Sequence, residues 1–380
     1  MRWRLSQVRY VRLLRGSAAL FSALALFLGA RCSLPWEVRE PREFTIVSYN
    51  AHNLFDDRAD GGEYPEFVPG NSGWSSELYR ARLDNTAFAA CAPFRPEAED
   101  GYSPWPDILC LVEIEGDKVL RDLAQGPMAK ASYRWLAVGE RGASATRCGI
   151  LSRYPIVAFR SHSLVDAWGY GPFRDILEVE IDLGISGGGM ERISLFLCHW
   201  KSRKEGARET EEARREAAKM LSRRIKEIQN QEAGRLVVVC GDFNESPDEF
   251  LRTGKGYPTA FSPFRPDGEP GGEGCIIEVC NSSVLSADGR LPRQGRVLLF
   301  SPWEETEGFS YIFQGVEERL DGFLLSAASL DGRGIEYGGF FVGKAPELFD
   351  KDGYPAGWNG RAGFSDHLPI GLRLVSSLYD

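Results

Sequence analysis

The sequence lacks the residue patterns that hold zinc or build a disulfide framework. It contains four His and eight Cys among 380 residues, with no CxxC pair and no Cys/His spacing typical of zinc. Cys110, Cys198 and Cys240 lie in or at the end of apolar runs, where we expect buried thiols. Cys275 and Cys280 are close in a loop-rich stretch and could pair if the protein is exported. These patterns exclude zinc-finger and disulfide-scaffold folds.

The N-terminus lacks a hydrophobic run long enough to cross a membrane. Five Arg between residues 2 and 15 precede an apolar run from Ala18 to Leu28. This run is shorter than the roughly 20 residues of a spanning helix and is typical of a secretory signal. We therefore predict that residues 1–34 are a signal peptide, with an uncleaved N-terminal anchor as the alternative. The protein is then exported, to the periplasm or the extracellular space.

The chain also lacks an excess of positive charge. It carries 45 Lys and Arg against 54 Asp and Glu. Residues 1–32 hold six Arg and no acid, so the remainder has 39 basic and 54 acidic residues, a net charge of −15. Nonspecific DNA binding depends on phosphate neutralisation by Lys and Arg. The composition therefore counts mildly against a nucleic-acid substrate, although a local basic rim or a bound cation can supply the charge.

Short apolar runs rich in β-branched residues predict a sheet protein. Several are apolar almost throughout, which is typical of strands covered on both faces. The predicted strands are Phe44–Tyr49, Asp107–Val112, Ile176–Ile181, Ile193–Cys198, Leu236–Cys240 and Leu368–Val375.

Two helices are predicted from apolar spacing. In Glu209–Gln229, apolar residues recur every three or four positions, so one stripe should pack on a sheet while the charged remainder is solvated. A weaker pattern predicts a helix over Ser76–Ala90. Ser186–Gly189 and Pro266–Gly274 are rich in Gly and Pro and are predicted surface loops. Because no repeat or composition break occurs, residues 35–380 are predicted to form a single domain.

Polar residues stand at the ends of several predicted strands. Sheet folds collect such ends at one edge, where side chains meet in a common cleft. Each residue alone has a structural explanation, such as a turn cap or an exposed acid. Together they combine carboxylate and amide oxygens, which suit a hard cation such as Mg²⁺, with imidazoles for proton transfer. The set is Asn50, Glu113, His199, Asp242, Asn244, Asp321, Asp366 and His367.

The order of these residues resembles the endonuclease/exonuclease/phosphatase superfamily. That superfamily includes pancreatic-type deoxyribonucleases, abasic-site endonucleases, neutral sphingomyelinases and inositol-polyphosphate 5-phosphatases. The resemblance spans Phe44 to Leu374, and HWKSR is most similar to secreted bacterial nucleases. The segments that carry it are SYNAHNLFDD, PDILCLVEIE, GILSRYPI, HWKSR, GDFNESP, RLDGFLLS and SDHLP.

The resemblance implies both a fold and a metal site. The fold is an α/β (α+β) four-layer sandwich, in which two packed, mainly antiparallel β-sheets are flanked by helices. The implied metal ligands are Glu113, Asn50 and Asp366. The implied ion is Mg²⁺, with Mn²⁺ or Ca²⁺ as alternatives, and it neutralises a phosphate oxygen.

The resemblance also implies catalytic roles. His367, oriented by Asp321, takes the proton from an attacking water. Asp242 and Asn244 position that water and the phosphoryl group. His199 either hydrogen-bonds a non-bridging oxygen or protonates the leaving group.

Two basic residues are candidates for substrate phosphate contacts. Arg174 matches a position where family members often place a phosphate-contacting Arg, although an ordinary surface Arg before a strand is equally consistent with the sequence. Lys201 belongs to a basic cluster with Arg203 and Lys204 beside His199. A solvated lead-in to a helix is the alternative for that cluster.

The substrate stays open between two classes. A nuclease is the first prediction, with nucleic acid as the partner and no protein partner implied. The alternative is a phosphodiesterase or phosphatase acting on a lipid or inositol headgroup, which should expose aromatics near the site. Trp168, Tyr170 and Trp303 are candidates for such aromatics, although ordinary packing is the favoured explanation for them. A non-catalytic binding protein is disfavoured because every principal position keeps a suitable residue.

Overall fold

The structure is a computed structural model that describes residues 41–70, 73–98, 104–140, 144–164, 173–184, 191–264, 274–285 and 296–376. The predicted signal peptide lies outside these residues, as do the predicted loop Ser186–Gly189 and all of Pro266–Gly274 except its last residue. In the part of the chain that the structure describes, no helix has the length and hydrophobicity of a membrane span.

The described residues form sixteen strands and six α-helices. The strands are β1 (Glu43–Leu54), β2 (Ile108–Ile114), β3 (Trp135–Val138), β4 (Arg147–Ser152), β5 (Ile156–Leu164), β6 (Phe173–Asp182), β7 (Arg192–His199), β8 (Leu236–Asp242), β9 (Phe261–Pro263), β10 (Ile277–Cys280), β11 (Val297–Phe300), β12 (Tyr311–Phe313), β13 (Val316–Glu318), β14 (Asp321–Leu325), β15 (Ile335–Val342) and β16 (Ile370–Ser376). The helices are α1 (Ser76–Cys91), α2 (Arg95–Ala98), α3 (Asp117–Gln125), α4 (Glu211–Gln231), α5 (Glu249–Arg252) and α6 (Ser282–Leu285).

Two mixed sheets, each with a majority of antiparallel pairings, pack face to face. The first sheet has the order β15-β16-β1-β2-β4-β3, and the second has the order β5-β6-β7-β8-β14-β11-β10-β9. The core between them consists of inward-facing residues such as Ile46, Leu195 and Val238. Helices α1 and α3 cover the outer face of the first sheet, and α4 covers the outer face of the second. The predicted four-layer sandwich is therefore confirmed.

The predicted strands and both predicted helices form close to where the sequence places them. The six strands correspond to β1, β2, β6, β7, β8 and β16. Helix α4 begins two residues after the predicted start, and α1 begins at the predicted residue. Strands β7 and β8 are buried almost throughout, as their apolar composition predicts. The observed β1 is longer than predicted, which places Asn50 inside a strand and not after it.

The cysteines behave as buried thiols. Cys110, Cys198 and Cys240 have no exposed surface, as predicted. Cys275 and Cys280 are also buried, and both are free thiols.

A buried ionic cluster fixes α4 to the second sheet. Glu178 of β6 accepts hydrogen bonds from Arg224 of α4, with Nη2 to Oε1 at 2.8 Å and Nε to Oε2 at 2.9 Å. The His162 Nε2 atom lies 2.6 Å from Glu178 Oε2. Burial alone would raise the pKa of Glu178, but the hydrogen bonds from His162 and Arg224 outweigh it and lower the pKa to about 2.

This cluster predicts a specific loss of stability in acid. A carboxyl whose pKa falls from 4.5 to about 2 on folding stabilises the protein above pH 4.5, and this contribution disappears as the pH falls toward 2. We expect it to be about 3 kcal/mol at neutral pH. Urea unfolding of wild type and Glu178→Gln at pH 6, 4 and 3 should show the stability difference shrinking across that window.

The matched control is Glu180→Gln on the same strand, whose carboxylate is partly exposed and 3.8 Å from Arg192. A partly exposed ion pair contributes only about 0–1 kcal/mol, so the stability difference between Glu180→Gln and wild type should be small at each pH. Parallel pH profiles for wild type and Glu178→Gln would contradict the role given to Glu178.

Candidate active site

Three of the predicted catalytic residues form one row across the second sheet. Strand register places His199 of β7 opposite Asp242 of β8, and Asp242 opposite Asp321 of β14. Strands β7 and β8 are parallel and end at the same edge, while β14 is antiparallel and begins there. The sheet therefore places three residues that are far apart in sequence side by side.

The first sheet contributes Asn50 and Glu113 through irregular strand ends. The β1–β2 register shifts between Asn50 and Leu54, next to Glu113. The Glu113 backbone has a φ of 61°, in the left-handed region that non-glycine residues rarely adopt. The Asn53 N–H donates to Glu113 Oε2 at 3.1 Å and helps to hold this conformation. Strand irregularities of this kind re-aim side chains, and backbone strain clusters at functional sites.

Asp242 connects the two sheets. Its Oδ2 accepts a hydrogen bond of 3.0 Å from Asn50 Nδ2, and its Oδ1 accepts one of 2.8 Å from the Asn244 backbone N–H. The Asn244 side chain donates in turn to the Trp200 carbonyl at 3.2 Å. Burial raises the pKa of Asp242 to about 7. These hydrogen bonds hold Asp242 and Asn244 in fixed positions beside each other.

His367 and Asp321 form a buried pair. His367 Nδ1 lies 2.7 Å from Asp321 Oδ2, which makes Nδ1 the donor and leaves Nε2 for other partners. His367 Nε2 lies 3.9 Å from Asp242 Oδ2, and the ring packs on Tyr311 at a centroid distance of 4.6 Å. Burial would lower the pKa of His367, but the negative charges of Asp321 and Asp242 outweigh it and raise the pKa. The structure therefore brings His367 and Asp321, which are 46 positions apart in sequence, into direct contact.

His199 lies between cationic and anionic neighbours. Its Nε2 is 2.5 Å from Arg174 Nη1, 3.4 Å from Glu113 Oε1 and 3.6 Å from Asp242 Oδ2. Burial, followed by the positive charge of Arg174, lowers the pKa of His199 well below its usual value. The ring is therefore neutral and accepts the Arg174 N–H at Nε2. This contact places Arg174 at the site.

The side chains of Lys201 and Asp366 are more exposed than the buried row of His199, Asp242 and Asp321. Lys201 Nζ pairs with Glu205 Oε1 at 2.8 Å on the surface. Its neighbour Arg203 pairs with Glu318 and lies 3.6 Å from Glu249, so nearby acids compensate this basic cluster. The Asp366 carboxylate is 43% exposed, and its Oδ1 lies 3.5 Å from His52 Nδ1.

The described residues contain one compact group of potential metal ligands, and it differs from the predicted set. Ligand atoms of Asp242, Asp321 and His367 all lie within 4.8 Å of one another. However, the 2.7 Å contact between Asp321 and His367 is already a hydrogen bond. Glu113 is 15% exposed and can contribute a carboxylate oxygen to a hard cation without breaking that pair. Both sets of residues can supply the oxygen ligands that a divalent ion requires.

Two residues at the site were missed in the sequence analysis. His52 stands two positions after Asn50, and its rarity as one of four His was the available signal. Arg82 of α1 is 1% exposed, and its guanidinium donates to the Phe364 carbonyl at 2.5 Å and to the His52 carbonyl at 2.8 Å. Burial lowers the Arg82 pKa to about 10. Through these two hydrogen bonds, Arg82 holds the segment before His367 against the end of β1.

The expectation that the charged residues of α4 are solvated is wrong for Arg214. This side chain is fully buried. It donates to Glu211 Oε2 at 2.6 Å, to Glu245 Oε2 at 3.3 Å and to the Lys201 carbonyl at 3.3 Å. Arg214 therefore ties the segment after His199 to the segment after Asn244. A helical pattern alone cannot reveal such a partner.

The close approach of β7 and β8 depends on Gly241, which predicts a sharp effect of substitution. Gly241 has a φ of 128°, and a Cβ there would lie 1.9 Å from the Cys198 carbonyl oxygen. We expect Gly241→Ala to lower the free energy of unfolding by roughly 2–5 kcal/mol. It should also lower catalytic activity, because His199 and Asp242 flank this contact. Denaturant unfolding and activity measurements would check both effects.

Gly234 is the matched control, because a Cβ there meets nothing within 4 Å and its φ is not in the left-handed region. Gly234→Ala should leave stability and activity close to wild type. Equal stability of the two variants would contradict the steric argument.

Comparison with known proteins places the chain in a family. A family model described as Endonuclease/Exonuclease/phosphatase family matches residues 45–255, more than half of the chain. No curated protein sequence matches. Among solved structures, truncated Caenorhabditis elegans TDP2 is 18% identical, covering 87% of this chain and 97% of that chain, with a TM-score of 0.47.

Two further solved structures have comparable values. An endonuclease/exonuclease/phosphatase from Beutenbergia cavernae is 16% identical, covering 88% of this chain and 72% of that chain, with a TM-score of 0.48. D. rerio TDP2 complexed with a single-strand DNA product is 14% identical, covering 87% and 98%, with a TM-score of 0.47. These likenesses concern the fold and not the substrate. On the match to the family model, the chain belongs to the endonuclease/exonuclease/phosphatase family and is a hydrolase of phosphate ester bonds.

Proposed function

We propose that the protein is an exported, divalent-metal-dependent nuclease that hydrolyses phosphodiester bonds of nucleic acids. The observation that carries the proposal is the convergence of a buried His367–Asp321 pair with His199, Arg174 and Asp242 at one edge of the sandwich. Export is supported by the basic leader and short apolar run of residues 1–34. The similarity of HWKSR to secreted bacterial nucleases favours nucleic acid as the substrate.

The side chains divide the reaction between them. His367 Nε2 accepts a proton from the attacking water, because Asp321 holds Nδ1 as the donor. Asp242 and Asn244, fixed by their own hydrogen bond, orient this water and the phosphoryl group. Arg174 can donate to a phosphate oxygen in place of His199. His199 Nε2 is then no longer occupied by Arg174, and the anionic phosphate beside it favours the protonated ring, so His199 can take up a proton and donate it to a non-bridging oxygen or to the leaving group.

The donor set at this edge suits a hard divalent cation, and we assign Mg²⁺ to Glu113, Asn50 and Asp366. When bound, the cation supplies positive charge that neutralises phosphate oxygens and offsets the carboxylates that raise the His367 pKa. This assignment leaves the Asp321–His367 hydrogen bond intact for proton transfer. Asn50 Oδ1 already accepts the His52 N–H at 2.9 Å and retains a second lone pair.

A phosphodiesterase acting on a lipid or inositol headgroup is the second candidate. The exposed apolar side chains on the hairpin of β12 and β13 favour this candidate. Phe313 is 51% exposed and Val316 is 56% exposed, and Tyr311 of β12 forms a β-bridge with His367. Trp303 does not add to this surface, since it is 1% exposed and donates to the Asp321 carbonyl at 2.7 Å. Trp168 and Tyr170 lie outside the described residues.

The nuclease proposal predicts metal-dependent nicking of supercoiled plasmid by residues 35–380. Parallel reactions contain single-stranded DNA, RNA, sphingomyelin or inositol phosphates, each with Mg²⁺, Mn²⁺, Ca²⁺ or EDTA. His367→Ala should lower the nicking rate at least about 100-fold, because it removes the general base. Lys351→Ala, at a side chain that is 89% exposed, should leave the rate unchanged. Headgroup release without nicking would replace the nuclease with the second candidate.

The metal assignment predicts a difference between two variants in a binding assay that needs no turnover. Mn²⁺ binding, followed by the loss of its free paramagnetic resonance signal, should weaken at least about tenfold in Glu113→Gln. Asp321→Asn should bind Mn²⁺ within roughly threefold of wild type, because Asp321 is assigned to His367 and not to the ion. The reverse pattern would place the ion in the Asp242–Asp321–His367 group.

A further inference from the structure

Along the active-site edge, successive strands of one sheet face successive strands of the other, so the edge has two distinct ends. The β14 and β16 ends contribute Asp321 and His367, and β1 faces β8 in the middle of the edge. Beyond β7, the next facing pair is β4 with β6. Asp321 and His367 therefore lie at one end of the site, and the β4–β6 pair lies at the other.

A cleft opens at the β4–β6 end, on the far side of His199 from His367. It is a shallow cleft: its enclosed part has a volume of about 10 Å³, and the rest is open to solvent. Its walls include Gly139, Thr146 and Arg147 from the first sheet and Arg174, Asp175 and His199 from the second. Because His199 and Arg174 form part of its wall, the cleft is continuous with the phosphate position proposed above.

The in-line geometry of phosphoryl transfer indicates which part of the substrate lies at this cleft. In phosphoryl transfer the attacking and leaving oxygens lie roughly in line on opposite sides of phosphorus. The attacking water is activated at His367. A phosphate held by Arg174 and His199 consequently directs its leaving group away from His367 and toward the β4–β6 cleft.

Asp175 gives this cleft a specific chemistry. Its Oδ2 accepts a hydrogen bond of 2.8 Å from Ser161 Oγ, which fixes the carboxylate. Its Oδ1 is buried and has no hydrogen-bond partner. A buried carboxylate oxygen without a donor is costly, so a ligand that brings an N–H or O–H group to it gains affinity.

We infer that the β4–β6 cleft receives the leaving group of the substrate, and that Asp175 binds a hydroxyl or amino donor on that group. Under the proposed nuclease function, on which this inference rests, the donor belongs to a nucleoside, as a sugar hydroxyl or an exocyclic amine. Asp175 is thereby a substrate-binding residue that favours leaving groups with hydrogen-bond donors over those without them.

The test compares two diesters whose leaving groups differ in donors. A dinucleoside monophosphate releases a nucleoside, whereas bis(4-nitrophenyl) phosphate releases 4-nitrophenolate, which has no donor. Asp175→Asn should lower kcat/KM for the dinucleotide roughly 10- to 100-fold, the loss typical of a hydrogen bond to a charged group. It should change kcat/KM for bis(4-nitrophenyl) phosphate less than about twofold.

Glu180→Gln, on the same strand and outside the cleft, should match wild type on both substrates. Thermal unfolding of each variant provides the check on folding. A loss of equal size on both diesters, or no loss on the dinucleotide, would overturn the role of Asp175.

Failure of the nuclease proposal gives a different result. In that case wild type cleaves bis(4-nitrophenyl) phosphate but no dinucleotide. Glycerophosphoinositol then replaces the dinucleotide, since both of its alternative leaving groups carry hydroxyl donors. A selective loss in Asp175→Asn on this substrate supports the leaving-group cleft, and an unselective effect overturns it. A wild type that is inactive on all three diesters overturns both proposals.

Discussion

The hydrogen bond from Asn50 Nδ2 to Asp242 Oδ2, at 3.0 Å, joins the two sheets at the edge of the proposed active site. Asp242 stands in the middle of the row that His199 and Asp321 complete, and it also holds the Asn244 backbone. A buried carboxylate needs donors because burial penalises its charge, and here those donors come from both sheets. The packing of the two sheets and the geometry of the site therefore depend on each other. A shift of β1 relative to β8 would remove the Asn50 hydrogen bond from Asp242.

The two ends of this edge differ in the charge that surrounds their histidines. At one end Asp321 and His367 form a hydrogen-bonded pair, and the acids around His367 raise its pKa. At the other end His199 is buried against Arg174, and its pKa is lowered. Two imidazoles of the same intrinsic basicity are thus driven apart by their surroundings, which is how one site can provide different proton-transfer groups. Under the proposed function, in which a bound cation offsets the acids around His367, a phosphodiester placed between the two imidazoles would meet a proton acceptor at one end and hydrogen-bond donors at the other.

Helix α4 contributes to the site although none of its residues was predicted to do so. Arg214 bonds to acids and carbonyls on both sides of the helix start, while Arg224 fixes the other half of the helix to Glu178 on β6. Removing one partner from such a buried network leaves an uncompensated charge, so these contacts hold the helix in one position on the sheet. That position determines where the segment after His199 lies. The helix that the sequence predicts as an amphipathic cover therefore also fixes the segment that follows the row of His199, Asp242 and Asp321.

The amino-acid sequence by itself indicated six of the sixteen described strands, the two main helices and the candidate set at the strand ends, and its resemblance to the superfamily implied the layered fold. Apolar periodicity is a local property, and ISLFLC or LVVVC can be assigned to buried strands without knowing their neighbours. Which polar groups meet was decided only by the tertiary structure. The contacts of Arg174 with His199, Arg214 with Glu245 and Asn50 with Asp242 join residues that are 25, 31 and 192 positions apart. The sequence pattern likewise did not predict the left-handed backbone at Glu113 or the ion pair between Lys201 and Glu205. The reason is physical: a long polar side chain can serve several partners equally well, and only the packing of distant segments selects one of them and excludes water from it.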